Sequence, residues 1–174
     1  MAKRKCMPES EVESFSSVIC KSLDSFDFFC EAELVALYMP IKNEVDVLPL
    51  FKKTGRHFLF PRVEQDSKKL AFYEAESFDD FEPGAYGIRE PKLSLPKIEI
   101  EKIDLFVVPG VAFSEKCERI GYGGGYYDTT LKFKNKRAHS VGVAFDFQIV
   151  EPGFSGPFDV RLDAVLTERR HFII

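Results

Sequence analysis

An α/β fold is what this sequence predicts: three layers, with a mostly parallel, mixed sheet between helices on both faces. Three observations carry that expectation. Short apolar runs stop at Pro or Gly, as buried strands do: residues 33–39 end at Pro40, and residues 103–108 end at Pro109 and Gly110. Other segments show the three- and four-residue apolar spacing of a helix, clearest at Val12, Phe15, Ile19 and Leu23. Finally, Gly121, Gly123, Gly124 and Gly125 crowd together between the second run and a segment able to open a helix at Tyr126. Strand, glycine loop and helix in that order commonly hold a nucleotide or phosphate at the carboxyl end of a parallel sheet.

Composition bounds the answer. With 174 residues, 45% of them hydrophobic and 30% charged, residues 1–174 suit a single folded domain with its own core. A net charge of −4 argues against a general nucleic-acid-binding surface. The cysteines Cys6, Cys20, Cys30 and Cys117 form no CxxC pair and have no histidines at metal-ligand spacing, which argues against a zinc site. No apolar run approaches the roughly 18 residues of a membrane span. No secretory apolar region opens the sequence either, so free thiols in a reducing cytoplasm are expected, with Cys117 a possible reactive thiol beside the glycine loop.

Taken in order, Lys3, Arg4 and Lys5 read as a solvated, frayed terminus. Pro8 with Glu9 and Glu11 starts the first helix, acids in its first turn. The strand at 33–39 leads to Asn43, an expected N-cap for a short helical segment over 44–51. Glu44 there is either a solvated first-turn acid or a ligand contact in the loop after a parallel strand. Residues 56–63 and 70–73 read as a hairpin, with Arg62 at its rim able to meet an anion or a surface acid. Residues 81–91 are rich in turn formers and read as an irregular lid or pocket wall, and residues 92–102 as a link to the central strand. Beyond the glycine loop, a basic helix end at 132–137, a strand at 140–145 and a last core strand before Glu168 complete the reading. No internal repeat or low-complexity linker interrupts it.

The glycine stretch, Arg119-Ile120-Gly121-Tyr122-Gly123-Gly124-Gly125-Tyr126-Tyr127-Asp128, carries the chemistry. Its glycines let several backbone N–H groups approach phosphate oxygens, and its tyrosines offer a wall for a flat ligand. Arg119 adds positive charge. Asp159 and Asp163 read as residues that terminate a turn and cap a strand, and Asp128 suits the first turn of the helix after the loop. A magnesium–nucleotide site needs few protein ligands, since Mg²⁺ shares phosphate oxygens and keeps waters. The motif is neither GxGxxG in its usual setting nor GxxxxGK[ST].

Val108-Pro109-Gly110-Val111-Ala112-Phe113 followed by this stretch resembles the signature of the 5-formyltetrahydrofolate cyclo-ligase family, with smaller matches from Leu34 to Glu168. The resemblance implies an ATP- and Mg²⁺-dependent conversion of 5-formyltetrahydrofolate to 5,10-methenyltetrahydrofolate by a cytoplasmic monomer without nucleic-acid or membrane partners. It implies ATP contacts from Lys3, Arg4, Arg119, Ile120, Gly121, Tyr122, Gly123, Gly124, Gly125, Tyr126 and Tyr127. It implies folate contacts from Met39, Glu44, Tyr122, Gly123, Gly124, Gly125 and Tyr126, metal ligation by Asp128 and Asp159, and catalytic roles for Tyr126 and Arg119. Two departures stand out: the family's basic pair, Lys and Arg four apart, meets Met7 four residues after Lys3, and Phe158 takes a usually polar position. They motivate a second reading, a protein that binds 5-formyltetrahydrofolate without turnover. A third is a kinase-like enzyme acting on another small carbonyl or phosphate substrate.

Overall fold

The computed structural model describes residues 2–53, 55–64 and 67–174. A short α1 (Ala2–Lys5) precedes α2 (Glu9–Asp24), where Glu9 and Glu11 complement the helix dipole and Ile19 and Leu23 face the core. One-turn helices α3 (Asp27–Cys30) and α4 (Leu48–Phe51) flank β1 (Leu34–Ala36). The hairpin β2 (His57–Val63) and β3 (Leu70–Ala75) follows as the sequence predicts. Next come a smaller hairpin, β4 (Phe81–Pro83) with β5 (Arg89–Pro91), then β6 (Lys97–Ile98) and β7 (Leu105–Val108). Short β8 (Ala112–Ser114) and β9 (Arg119–Ile120) lead into α5 (Tyr126–Leu131). The chain closes with β10 (His139–Val143), β11 (Ile149–Val150), β12 (Ala164–Leu166) and β13 (His171–Ile173).

Eight strands make the main sheet, in the order β13-β12-β10-β7-β1-β2-β3-β6. Pairing is parallel from β12 through β10, β7 and β1 to β2, and antiparallel at β13, β3 and β6. The chain leaves β1 toward β2 on one side and later returns to β7 on the other. The strand order therefore reverses between β1 and β7, the position where doubly wound sheets open a crevice beyond their strand ends.

Alternation along the strands separates two cores. Val35, Leu105, Val107, Val141, Val143 and Leu166 face α2, joining Ile19, Leu23 and Phe29. Ala36, Leu59, Phe106, Val108 and Val165 face the other way, onto Phe113, Leu131 and Leu162. Phe106 and Phe72 meet edge-on in this second core, ring centroids 5.5 Å apart. The layer of helices expected on this side amounts to the six-residue α5, helped by the small β11-β8-β9 sheet.

Several local expectations are corrected. Asn43 caps no helix: it lies at positive φ and donates through Nδ2 to the Arg4 and Met7 carbonyls, while helix resumes only at Leu48. Residues 81–91 are a paired hairpin rather than an irregular loop, because Arg62 donates to Glu82 Oε1 at 2.6 Å and to the Pro91 carbonyl at 2.8 Å, holding both strands. The stretch 92–102 contributes β6 to the sheet edge. Arg4 is no part of a frayed end, being 2% exposed.

The thiols divide by burial. Cys6 and Cys30 are exposed; Cys20 and Cys117 are buried, and burial pushes their thiols up to about 12 and about 11. A reactive Cys117 is therefore not supported. At about pH 8 the thiolate fraction falls tenfold for each unit of pKa, so a disulfide-exchange reagent should titrate Cys6 and Cys30 promptly in the native protein. Cys20 and Cys117 should react only on denaturation; prompt reaction of all four would contradict the packing.

Candidate active site

A cavity of about 740 Å³ opens beyond β1 and β7. One wall comes from the loop after β1, with Met39, Lys42 and Glu44; the opposite wall is Gly121 to Gly125 with Tyr126 and Asp128. The glycines are required where the backbone turns: Gly123 and Gly125 have φ of 90° and 70°, in the left-handed region, and Gly125 starts α5. A side chain at Gly121 would strike the Arg119 guanidinium, 2.6 Å from the position of its Cβ.

Arg119 sits on β9 with its side chain buried, and its Nη2 donates to Asp128 Oδ2 at 2.8 Å. That pair bridges the two ends of the glycine loop. Asp128 Oδ1 accepts from the Val160 N–H at 3.2 Å, drawing in the segment that carries Asp159. Arg119 Nε is buried and has no hydrogen-bond acceptor among the described residues, while the residue itself lines the cavity. Asp159 also lines the cavity, its Oδ2 accepting the Gly156 N–H at 2.7 Å.

Across the cavity, Glu44 is 5% exposed. Its Oε2 accepts the Ile41 N–H at 3.0 Å, and its Oε1 accepts the Tyr122 hydroxyl at 3.2 Å. Arg4 stands behind it, Nη2 3.8 Å from Oε1. Burial pushes the Glu44 carboxyl up from its ordinary value, while the Ile41 N–H and the Arg4 charge oppose that rise. The remaining Arg4 donors go to the Gly110 carbonyl at 2.8 Å, the Lys42 carbonyl at 3.1 Å and the Tyr122 hydroxyl oxygen. Burial raises the Tyr122 and Tyr127 hydroxyls as well.

The β4–β5 hairpin supplies a third wall. Tyr86, at φ 58°, reaches over the cavity and its hydroxyl meets that of Tyr126 at 2.8 Å, a contact that raises the Tyr126 hydroxyl's pKa. Ile88 and Glu90 of the same hairpin also line the cavity.

The structure thus gathers around one cavity Met39, Glu44, Arg119, Ile120, the glycines 121 and 123–125, Tyr122, Tyr126, Tyr127, Asp128 and Asp159. Lys3 is outside the lining, its ammonium over the Phe147 ring at 4.6 Å, and Arg4 is turned onto protein groups. Phe158 is exposed under the Lys132 ammonium. Tyr86, Lys42, Ile88 and Glu90 are lining residues that sequence reasoning left unassigned; for Tyr86, its Gly-Ala-Tyr-Gly setting in a turn-rich segment was the available signal.

Fold and site together define an α/β protein with a glycine loop at the switch point of its sheet, beside a cavity that a buried acid lines. The model of the 5-formyltetrahydrofolate cyclo-ligase family matches residues 1–168, and the chain belongs to that family. It is 28% identical over 171 residues to the 5-formyltetrahydrofolate cyclo-ligase of Escherichia coli K12, covering 95% of this chain and 93% of that protein. A probable 5-formyltetrahydrofolate cyclo-ligase of Schizosaccharomyces pombe is 32% identical over 177 residues, covering 91% and 86%. Among solved structures, the 5,10-methenyltetrahydrofolate synthetase of Aquifex aeolicus superposes with a TM-score of 0.86 at 34% identity, covering 99% of this chain and 87% of that one. The 5,10-methenyltetrahydrofolate synthetase of Mycoplasma pneumoniae superposes with a TM-score of 0.76 at 26% identity, covering 96% and 93%. The chain is accordingly an enzyme with 5-formyltetrahydrofolate cyclo-ligase activity.

Asp128→Asn removes the only anion paired with the Arg119 guanidinium among the described residues. Urea unfolding should show a loss of about 2–4 kcal/mol, the lower end reflecting the partial exposure of Asp128. A loss below about 0.5 kcal/mol would mean the pair does not hold the loop closed.

Proposed function

We propose that the enzyme uses ATP and Mg²⁺ to phosphorylate the formyl oxygen of 5-formyltetrahydrofolate, after which N10 closes the ring. The observation supporting this reading is that the glycine loop with Asp128 and Asp159 and the wall with Met39 and Glu44 face one another across a single cavity. Two substrates held there have their reacting groups side by side.

The formyl group on N5 is amide-like, with a poor oxygen leaving group. Transfer of the γ-phosphoryl group breaks its bond to ADP and forms a P–O bond to the formyl oxygen. The N10 lone pair then attacks the formyl carbon, the C–O bond breaks with release of phosphate, and the N10 proton is lost. The product is 5,10-methenyltetrahydrofolate. Because both nitrogens belong to one bound molecule, alignment supplies several kcal/mol, within the roughly 7–11 kcal/mol of well-aligned intramolecular reactions. No protein nucleophile is needed.

Each residue then has a task. The amides of Gly123 to Gly125 hold phosphate oxygens, and the Arg119 charge at the cavity lining offsets charge as the phosphoryl group moves. Among the described residues no three His, Cys, Asp or Glu gather as a metal cage. Two carboxylates on one cavity fit Mg²⁺ all the same, since that ion takes the rest of its oxygens from phosphate and water. Asp128 and Asp159 would hold it, and it would supply charge neutralisation at the phosphates. Glu44 accepts folate N–H groups, Met39 packs beside them, and Tyr126 covers the formyl and pterin region with Tyr86 above it. The same reading takes the protein as a monomer acting in the cytoplasm.

Purified protein with 5-formyltetrahydrofolate and Mg²⁺ should develop the near-ultraviolet absorbance of the methenyl product only when ATP is added. Asp128→Asn, with folding checked by circular dichroism, should lower kcat by at least about 100-fold. Folate binding without any chromophore would instead favour the sequestering protein. Turnover of ATP with no folate requirement would favour the kinase-like reading.

A further inference from the structure

Tyr122 belongs to the glycine loop, yet its hydroxyl leaves that loop and ends among groups of the opposite wall. It donates to Glu44 Oε1 at 3.2 Å and accepts from the Arg4 guanidinium. The ring is held between cations, with Lys42 Nζ 4.8 Å and Arg4 Cζ 5.8 Å from its centroid. Arg4 itself is fixed, 2% exposed and bound to carbonyls of the loops after β7 and β1. The loop residues that follow, Gly123, Gly124 and Gly125, are exposed and carry no side chain that could tether them. Tyr122 is thus the link between the phosphate-binding backbone and the buried acid.

We propose that the Tyr122 hydroxyl, anchored by Arg4, is a positioning group that makes the nucleotide and the folate bind cooperatively. The proposal rests on the functional reading above. A carboxylate has about four acceptor sites, so Glu44 can keep the Tyr122 and Ile41 donors while taking N–H groups of a folate. The Tyr122–Glu44 contact is already formed; phosphate bound on the adjoining glycine amides holds the loop in that arrangement and so keeps the carboxylate oriented for the second ligand. The second ligand then orders less, and linkage makes the effect reciprocal. Arg4 acts through Tyr122 and Glu44 rather than by touching phosphate.

The test is calorimetric titration of 5-formyltetrahydrofolate into wild type and Tyr122→Phe, each with and without saturating Mg²⁺ and a non-hydrolysable ATP analogue. Tyr122→Phe keeps the ring and its cation contacts, and the ratio of two dissociation constants for one variant is insensitive to a general loss of stability. Wild type should bind the folate at least about fivefold more tightly with the analogue present, and the reverse titration should return the same factor. In Tyr122→Phe that ratio should fall below about twofold, and Arg4→Lys should reduce it in part. Wild type binding both ligands without a shift, or Tyr122→Phe keeping the full shift, overturns the coupling and leaves the functional reading standing. Wild type binding neither ligand overturns the functional reading, and the coupling with it.

Discussion

The contact between Arg119 and Asp128 determines the shape of everything around it. A buried guanidinium needs an anion, and the anion available is nine residues on, across the glycine loop. Closing that pair folds residues 121–125 into a tight bend, whose left-handed backbone at 123 and 125 glycine adopts without the strain of a Cβ. The other oxygen of Asp128 then fastens Val160, so Asp159 is carried to the same rim. A loop that would be a flexible connector on composition alone becomes a shaped cradle.

The parallel sheet supplies the other half. Because the strand order reverses between β1 and β7, the loops after these strands diverge and leave a crevice. Arg4 fills the back of it. Its donors satisfy carbonyls from both loops, and its charge lies behind Glu44, which makes a buried carboxylate tolerable there. The short α1 is therefore structural to the site: it delivers one side chain that the loops after β1 and β7 share with the glycine loop.

What was legible in the sequence follows from the range of the forces involved. Apolar runs ended by Pro or Gly report their own burial, so β1, β2, β3, β7, β10 and β12 could be read directly. The glycine loop was legible from its crowded glycines, whereas Asp128 and Glu44 look like ordinary first-turn acids and were tied to a site through the family resemblance; both line the cavity. Arg4 was not, since its partners are backbone carbonyls of Lys42 and Gly110 and side chains at 44 and 122, distant positions that leave no local pattern. Asn43 misled for a related reason: its side chain spends its donors on the first helix instead of capping the next. The β4–β5 hairpin was hidden because turn-forming residues mask two three-residue strands held by Arg62 from elsewhere. β8, β9 and β11 are too short for any periodicity to appear.

On the proposed function, one cavity brings a phosphoryl donor to the formyl oxygen of the folate. That step is tested most directly with 5-formyltetrahydrofolate carrying ¹⁸O in the formyl group, following the phosphate released during turnover by ³¹P nuclear magnetic resonance. Transfer to that oxygen predicts inorganic phosphate shifted by one bound ¹⁸O, in step with ring closure. Unlabelled phosphate released alongside the methenyl product would contradict it, because the formyl oxygen would then have left by another route.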